Sequence, residues 1–391
     1  MDRQLSGFAL LLLLSTIVAL ITRRLRVPYS VGLVVAGGVL WFGHAPSLIV
    51  LSRDLLFLVL LPPLIFDAAF YIRWEDLRKD LPVVLTLATA GVVLAAFVVA
   101  AGMHWLAGWG WLGAFAFGFL IAATDPVSVI AAFKEARVMG RLRLLVEAES
   151  LVNDGTATVG FVLVIAMAQG TAPTTGQVLL QLAYTSVGGI VAGLAVAAIA
   201  LCLARRTQDH LIEIASTTVA AYGSFLLAQR FQCSGILATM TAGLAIGHFG
   251  ARGNITEKGR ESAGDLWEYA AFVANSLIFI LMGTRLAQEP LVSLAGTAIL
   301  GIVLVCLGRA VAVYAGCAVF YRSASKVEAG YQHIMFWGGL RGALALALTL
   351  GLPEAVPHRN QVAAVTYAVV AFSVFAQTLT IPPFLRRLGY V

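Results

Sequence analysis

Long apolar runs separated by short polar turns follow one another from end to end of the chain. They fall at roughly 5–22, 28–42, 52–71, 81–107, 110–136, 141–170, 174–204, 210–230, 233–248, 256–287, 291–321, 327–352 and 360–388. This gives about 13 segments long enough, or nearly so, to cross the ~30 Å hydrocarbon core of a bilayer as helices. The runs are rich in Leu, Ala and Val. They are too long for barrel strands and lack the alternation such strands carry. The pattern predicts an all-α polytopic membrane protein.

Two runs are interrupted. In the fifth, Ala123-Thr124-Asp125-Pro126 breaks the apolar sequence, and Pro126 removes an amide donor and clashes with the preceding turn. In the twelfth, Trp337-Gly338-Gly339-Leu340-Arg341-Gly342 sets three glycines and an arginine inside the run. These are the fifth spans of the first and last six. Broken helices at matching places in the two halves predict inverted repeats that cross at a mid-membrane site. The first repeat is residues 1–170 and the second 208–391, joined by a linker span at 171–207.

Composition agrees. The 391 residues are 60% hydrophobic and 12% charged, with a mean hydropathy of +0.90, where a soluble domain is nearer a quarter charged. A net charge of +6 would suggest nucleic acid if it formed a patch, but the basic residues sit in short loops. With the N-terminus outside, alternate loops on the inner side hold Arg23, Arg24, Arg26, Arg73, Arg78, Lys79, Lys134, Arg137, Arg141, Arg143, Arg205, Arg206, Arg252, Lys258, Arg260, Arg322, Lys326, Arg386 and Arg387. The outer loops hold only Arg3, Arg53, Arg230, Arg285 and Arg359, and Arg309 and Arg341 lie within spans. A bias of 19 to 5 among the 26 basic residues supports both the span count and a cytoplasmic C-terminus. It also predicts a multi-pass protein of a bacterial or archaeal-type plasma membrane. The first run reads as a membrane helix rather than a signal peptide, because the cluster Arg23, Arg24 and Arg26 follows it and only Arg3 precedes it. No long polar tail is expected after Arg387; the chain reads as a minimal transporter or as the membrane part of a longer one. Cys202, Cys233, Cys306 and Cys317 have no metal-ligand spacing and read as small apolar side chains. The six histidines form no ligand cluster, and no cofactor is implied.

A charge at the bilayer centre costs at least ~2.5–3.5 kcal/mol, so each intramembrane charge needs a reason. On the sixth span, Ser150 and Asp154 are four residues apart and share a helical face. Together they offer the oxygen ligands a small hard cation needs. Glu149 and Asn153 form a second such pair on the adjoining face, able to brace the first. The plain alternative is an Asp154 that only pairs with a buried base. Thr124 and Asp125 expose side-chain oxygens and unwound carbonyls at the first break, and a half-helix starting near Pro126 would point its positive end there. An ordinary capping Asp before an N1 proline accounts for the same residues. Arg341 cannot escape its charge and needs a carboxylate; Glu149 is the expected partner. Arg309 needs one too, and none is evident. Asp67 reads either as an acid on the cytoplasmic approach or as an interfacial acid near Arg73. Glu261, Asp265 and Glu268 make an acidic stripe at the start of the tenth span, a funnel mouth or simply a solvated first turn.

Three segments carry a family resemblance: Phe119-Leu-Ile-Ala-Ala-Thr124-Asp125-Pro126-Val127, Glu149-Ser-Leu-Val-Asn153-Asp154-Gly155-Thr156 and Gly338-Gly-Leu-Arg341-Gly-Ala-Leu-Ala. They resemble the monovalent cation:proton antiporters of the NhaP and eukaryotic Na⁺/H⁺ exchanger type, as do Leu61-Pro-Pro-Leu-Ile-Phe-Asp67 and Ala274-Asn-Ser-Leu-Ile-Phe-Ile280. The resemblance covers nearly the whole chain. It implies a 13-helix protomer with crossed broken helices, usually a homodimer. A core (spans near 81–170 and 291–388) would move against a dimerisation scaffold (spans near 5–71 and 174–287). It implies that Asp154 carries cation or proton, that Thr124, Ser150, Asp125 and Asp67 contribute to or shape the cation site with Asn153 and Pro126, and that Glu149 and Arg341 form a structural ion pair. With Asn153 before Asp154, it implies exchange of one cation for one proton.

Competition gives the expected mechanism. A carboxylate in low dielectric holds a proton or a cation but hardly both, and only neutralised forms should cross between the inward- and outward-facing states. The ligands are then Na⁺, or Li⁺ or K⁺, together with H⁺. The rivals are a K⁺/H⁺ exchanger of the same fold, a cation channel, and an intramembrane aspartyl protease. The last lacks the Gly-x-Gly context and any Ser/His pairing.

Overall fold

The computed structural model describes residues 2–25, 27–42, 54–126, 129–130, 132–133, 138, 140–170, 174–288 and 294–390. The predicted loop charges Arg26, Arg53, Lys134 and Arg137, together with Val127 and His44, lie outside the described residues, as does the side chain of Arg3. The structure is helical, with no strand among the described residues. The helices, in order, are α1 (Asp2–Leu25), α2 (Tyr29–Phe42), α3 (Leu55–Phe70), α4 (Trp74–Ala107), α5 (Trp111–Ala122), α6 (Arg141–Ala168), α7 (Thr175–Ala204) and α8 (His210–Arg230). They continue with α9 (Gly235–Phe249), α10 (Glu257–Leu286), α11 (Ala295–Ala318), α12 (Ala329–Trp337), α13 (Ala343–Leu350) and α14 (Arg359–Arg387).

Among the described residues, eight helices are long and apolar enough to span a bilayer, and α2, α3 and α5 are shorter apolar helices. The sequence count of 13 also includes the segments 233–248 and 327–352. The structure forms these as the 15-residue α9 and as the separate pieces α12 and α13. Local chemistry sets several ends. Gly108, with φ of 71°, closes α4 in a left-handed turn. Thr174 and Gln177 form a capping box on α7. Asp209 and Ser234 cap α8 and α9 through the amides of Leu211 and Leu237.

The chain divides into two compact units. The first comprises residues 1–53, 82–170 and 275–391. Within it, α4 packs along both α5 and α11, and α5 along α6. Lipid gives apolar helices little reason to leave it, so association relies on close backbone approach at small residues. Gly37 and Gly283 show this: a Cβ on either would run into the carbonyl of Ile280 or Val34 on the facing helix. The second unit comprises residues 54–81 and 171–274. There α9 packs on α3, α7 and α8, around a core in which the Phe66 and Trp267 rings lie 4.6 Å apart. The indole of Trp267 donates to Thr217 Oγ1 at 3.0 Å, so this buried ring leaves no polar atom unsatisfied.

Candidate functional site

The two predicted breaks are present and they meet. Helix α5 ends at Ala122 and residues 123–126 are non-helical; α12 ends at Trp337 and α13 resumes only at Ala343. The Asp125 amide donates to the Leu340 carbonyl at 2.8 Å, and one residue further on the Ile130 amide returns to the Pro126 carbonyl at 2.8 Å. The expected half-helix after Pro126 otherwise lies largely outside the described residues.

Each break serves the other's helix end. Arg341 Nη1 donates to the carbonyls of Ala122 and Ala123 at 2.7 and 3.1 Å, the exit of α5, where carbonyls lack intrahelical donors and the dipole is negative. Conversely, the Asp125 carboxylate lies against Gly342, immediately before α13. A negative group there faces the positive end of α13. A Cβ at position 342 would collide with Asp125 Oδ2, so glycine is what admits the carboxylate.

The α6 face fits onto the first break. Thr124 Oγ1 and Ser150 Oγ are 2.9 Å apart. Asn153 clamps the same residue twice: its Oδ1 accepts from the Thr124 amide at 3.1 Å, and its Nδ2 donates to Thr124 Oγ1 at 2.7 Å. The Asn153 amide also donates to Glu149 Oε1 at 3.1 Å, the four-residue brace expected from the sequence. Thr124, Glu149, Ser150 and Asn153 are all buried.

The expected Glu149–Arg341 pair does not form. Glu149 is held instead by Arg309 on α11, Nη1 to Oε1 at 2.7 Å and Nη2 to Oε2 at 2.9 Å, a bidentate fork in a buried setting. Arg309 also donates from Nε and Nη2 to the Met335 carbonyl on α12, at 3.3 and 3.0 Å. The pair therefore ties together α6, α11 and α12. Gly339 makes this possible, since a Cβ there would press on the Arg309 guanidinium. Arg341 is spared for the carbonyl end of α5. The partner of Arg309 is 160 residues away, and no local spacing in the sequence links the two. The sign the sequence does carry is that two intramembrane arginines, Arg309 and Arg341, each need an acceptor.

Asp154 stands apart from these pairings. Its Oδ1 is buried and has no hydrogen-bond partner among the described residues. Asp125, Glu149 and Arg341 are the charges whose fields reach it. Glu149 is committed to Arg309; the Asp125 carboxylate lies beside the start of α13, and Asp154 keeps an oxygen available to a ligand. Asp67 lies on α3, in the second unit. Among the described residues, no group of three or more His, Cys, Asp or Glu side chains is arranged to hold a metal.

The family profile described as "Sodium/hydrogen exchanger, transmembrane" matches residues 9–387. The chain is 33% identical over 369 residues to the Na(+)/H(+) antiporter ApNhaP of Aphanothece halophytica, covering 94% of this chain and 70% of that protein. It is 34% identical over 340 residues to the Na(+)/H(+) antiporter NhaP of Pseudomonas aeruginosa, covering 84% and 80%. The solved structure of the sodium proton antiporter MjNhaP1 from Methanocaldococcus jannaschii superimposes with a TM-score of 0.80 over 99% of both chains, at 19% identity. That likeness establishes the fold: a polytopic helical membrane protein of the NhaP type. The motifs at the two breaks and on α6, the profile over nearly the whole length and these relatives agree that the chain belongs to the transmembrane sodium/hydrogen exchanger family.

Proposed function

We propose that this protein exchanges Na⁺ for H⁺ across the membrane, one for one, with Asp154 taking proton and cation in turn. The observation that carries the reading is the buried Asp154 Oδ1 without a hydrogen-bond partner among the described residues, on the helix whose Ser150 meets Thr124 at the first break. A buried carboxylate with no donor is costly in low dielectric. It needs a proton or a cation, and the two compete for the same electrons. Thr124, Ser150 and Asp125 supply the remaining oxygens, while Asn153 holds Thr124 against α6.

The charges of the cluster support the stoichiometry. Asp125, Glu149 and Asp154 contribute three negative charges, and Arg309 and Arg341 two positive ones. The empty cluster carries one net negative charge, and one proton or one monovalent cation brings it to zero. Only the neutral forms cross between the two faces without moving bare charge through a low dielectric. Exchange rather than leak follows, with no net charge moved per cycle. The resemblance supports a core that carries the site, a separate scaffold and a homodimer; of the spans expected in the scaffold, 5–42 and the last part of 256–287 cluster with the unit that holds the site. The basic-loop bias supports an outside N-terminus and a cytoplasmic C-terminus in the plasma membrane.

The test is a cation panel in proteoliposomes loaded with a pH dye. Na⁺ should change internal pH, with Li⁺ and K⁺ run alongside to rank selectivity. The membrane potential is worth ~2.3 kcal/mol per charge per 100 mV, so an imposed potential should leave the rate of an electroneutral exchanger unchanged. A rate that follows the potential overturns the one-for-one count. A K⁺ response exceeding that to Na⁺ makes the protein a K⁺/H⁺ exchanger.

A further inference from the structure

At the C-terminal end of α7, within the second unit, lies a groove of about 390 Å³. Ala198, Leu201, Cys202 and Arg205 line it at helical spacing, so apolar side chains lead along one face to a guanidinium. Arg206 lies beside them, and Phe249 and Asn254 form the other wall. The Asn254 amide is spent on the Phe249 carbonyl at 2.7 Å. No acidic residue lines the groove among the described residues, and neither arginine has an ion-pair partner among them. Asp209, nearby in sequence, caps α8.

We propose that this groove binds one anionic phospholipid, with an acyl chain along Ala198, Leu201, Cys202 and Phe249 and the phosphate between Arg205 and Arg206. Charge and level argue for it. Helix α7 is apolar and spanning, with Val187, Val191, Leu194 and Ile199 exposed along it, and its last residue is Ala204. The two arginines therefore stand where a span meets the headgroups, on the side that the basic-loop bias makes cytoplasmic. Clustered arginines at that level attract anionic headgroups, and the planar guanidinium fork matches a phosphate. The backbone contributes nothing favourable: the carbonyl end of a helix is partly negative, and the Arg205 amide is used on the Leu201 carbonyl at 3.0 Å. Anion binding thus rests on the two guanidiniums alone.

The full-length protein, purified in mild detergent, is titrated with phosphatidylglycerol, with phosphatidylcholine of the same chains and with glycerol phosphate, and bound lipid is counted by native mass spectrometry. One phosphatidylglycerol should be retained about tenfold more tightly than phosphatidylcholine. In R205Q/R206Q that preference should vanish. In Leu201→Trp, which fills the apolar wall and leaves both arginines, retention of phosphatidylglycerol should fall. Glycerol phosphate should not displace the lipid. The proposal is overturned by equal retention of the two lipids in the unmodified protein, by a double variant that keeps the preference, or by undiminished retention in Leu201→Trp. Displacement by glycerol phosphate would also overturn it, as it would mean a site for soluble phosphates.

Discussion

Asp154→Asn is expected to reduce cation-driven proton movement in proteoliposomes to the level of empty vesicles while the protein remains folded. An amide is nearly the same size and is neutral at every relevant pH, so it cannot alternate between proton and cation. The same change removes a buried charge that has no donor at Oδ1 among the described residues. Such a charge costs at least ~2.5–3.5 kcal/mol at the bilayer centre, so the melting temperature of the purified variant should stay level or rise. Loss of transport with unimpaired stability separates a functional carboxylate from a structural one. A variant that still acidifies or alkalinises vesicles in response to Na⁺ would place the exchange elsewhere.

The opposite pattern is expected at the Glu149–Arg309 pair. Removing one partner leaves the other charge buried and uncompensated, which costs about 3–5 kcal/mol. Glu149→Ala and Arg309→Ala should each lower the melting temperature sharply, and Glu149→Ala also strips Asn153 of one acceptor. A double change to Glu149→Leu and Arg309→Met removes both charges together and should recover much of the loss, because a buried pair and an apolar replacement differ little. Thermal unfolding of the three variants in detergent decides the matter. Single variants as stable as the parent would mean that the pair contributes nothing to holding α6, α11 and α12 together.

Much of this was legible in the chain. Apolar run length marks the helices because the bilayer fixes the length of a span, and Pro126 behind Thr124-Asp125 and the cluster Gly338, Gly339, Gly342 mark the breaks because proline removes a backbone donor and clustered glycines favour an unwound chain. The i, i+4 spacing on α6 anticipated the Glu149–Asn153 contact because that contact lies within a single helix. Pairings between helices were not legible. A buried guanidinium such as Arg341 needs an acceptor, but that acceptor need not be a carboxylate. The exit of α5 offered backbone carbonyls instead, and it does so only because the chain unwinds at Ala123. That left Glu149 to Arg309, a choice set by how the helices pack. The functions of Gly339 and Gly342 were hidden for the same reason: each makes room for a side chain from another helix.

Competition at Asp154 is the central claim, and counting protons on cation binding tests it most directly. Na⁺ is titrated into the purified protein by calorimetry, at a pH where the site is protonated, in buffers of different ionisation enthalpy. The dependence of the heat on the buffer gives the protons released per Na⁺ bound. The account predicts release of one proton for each Na⁺, and neither binding nor release in Asp154→Asn. Na⁺ binding without proton release, or full proton-coupled binding in Asp154→Asn, would contradict it.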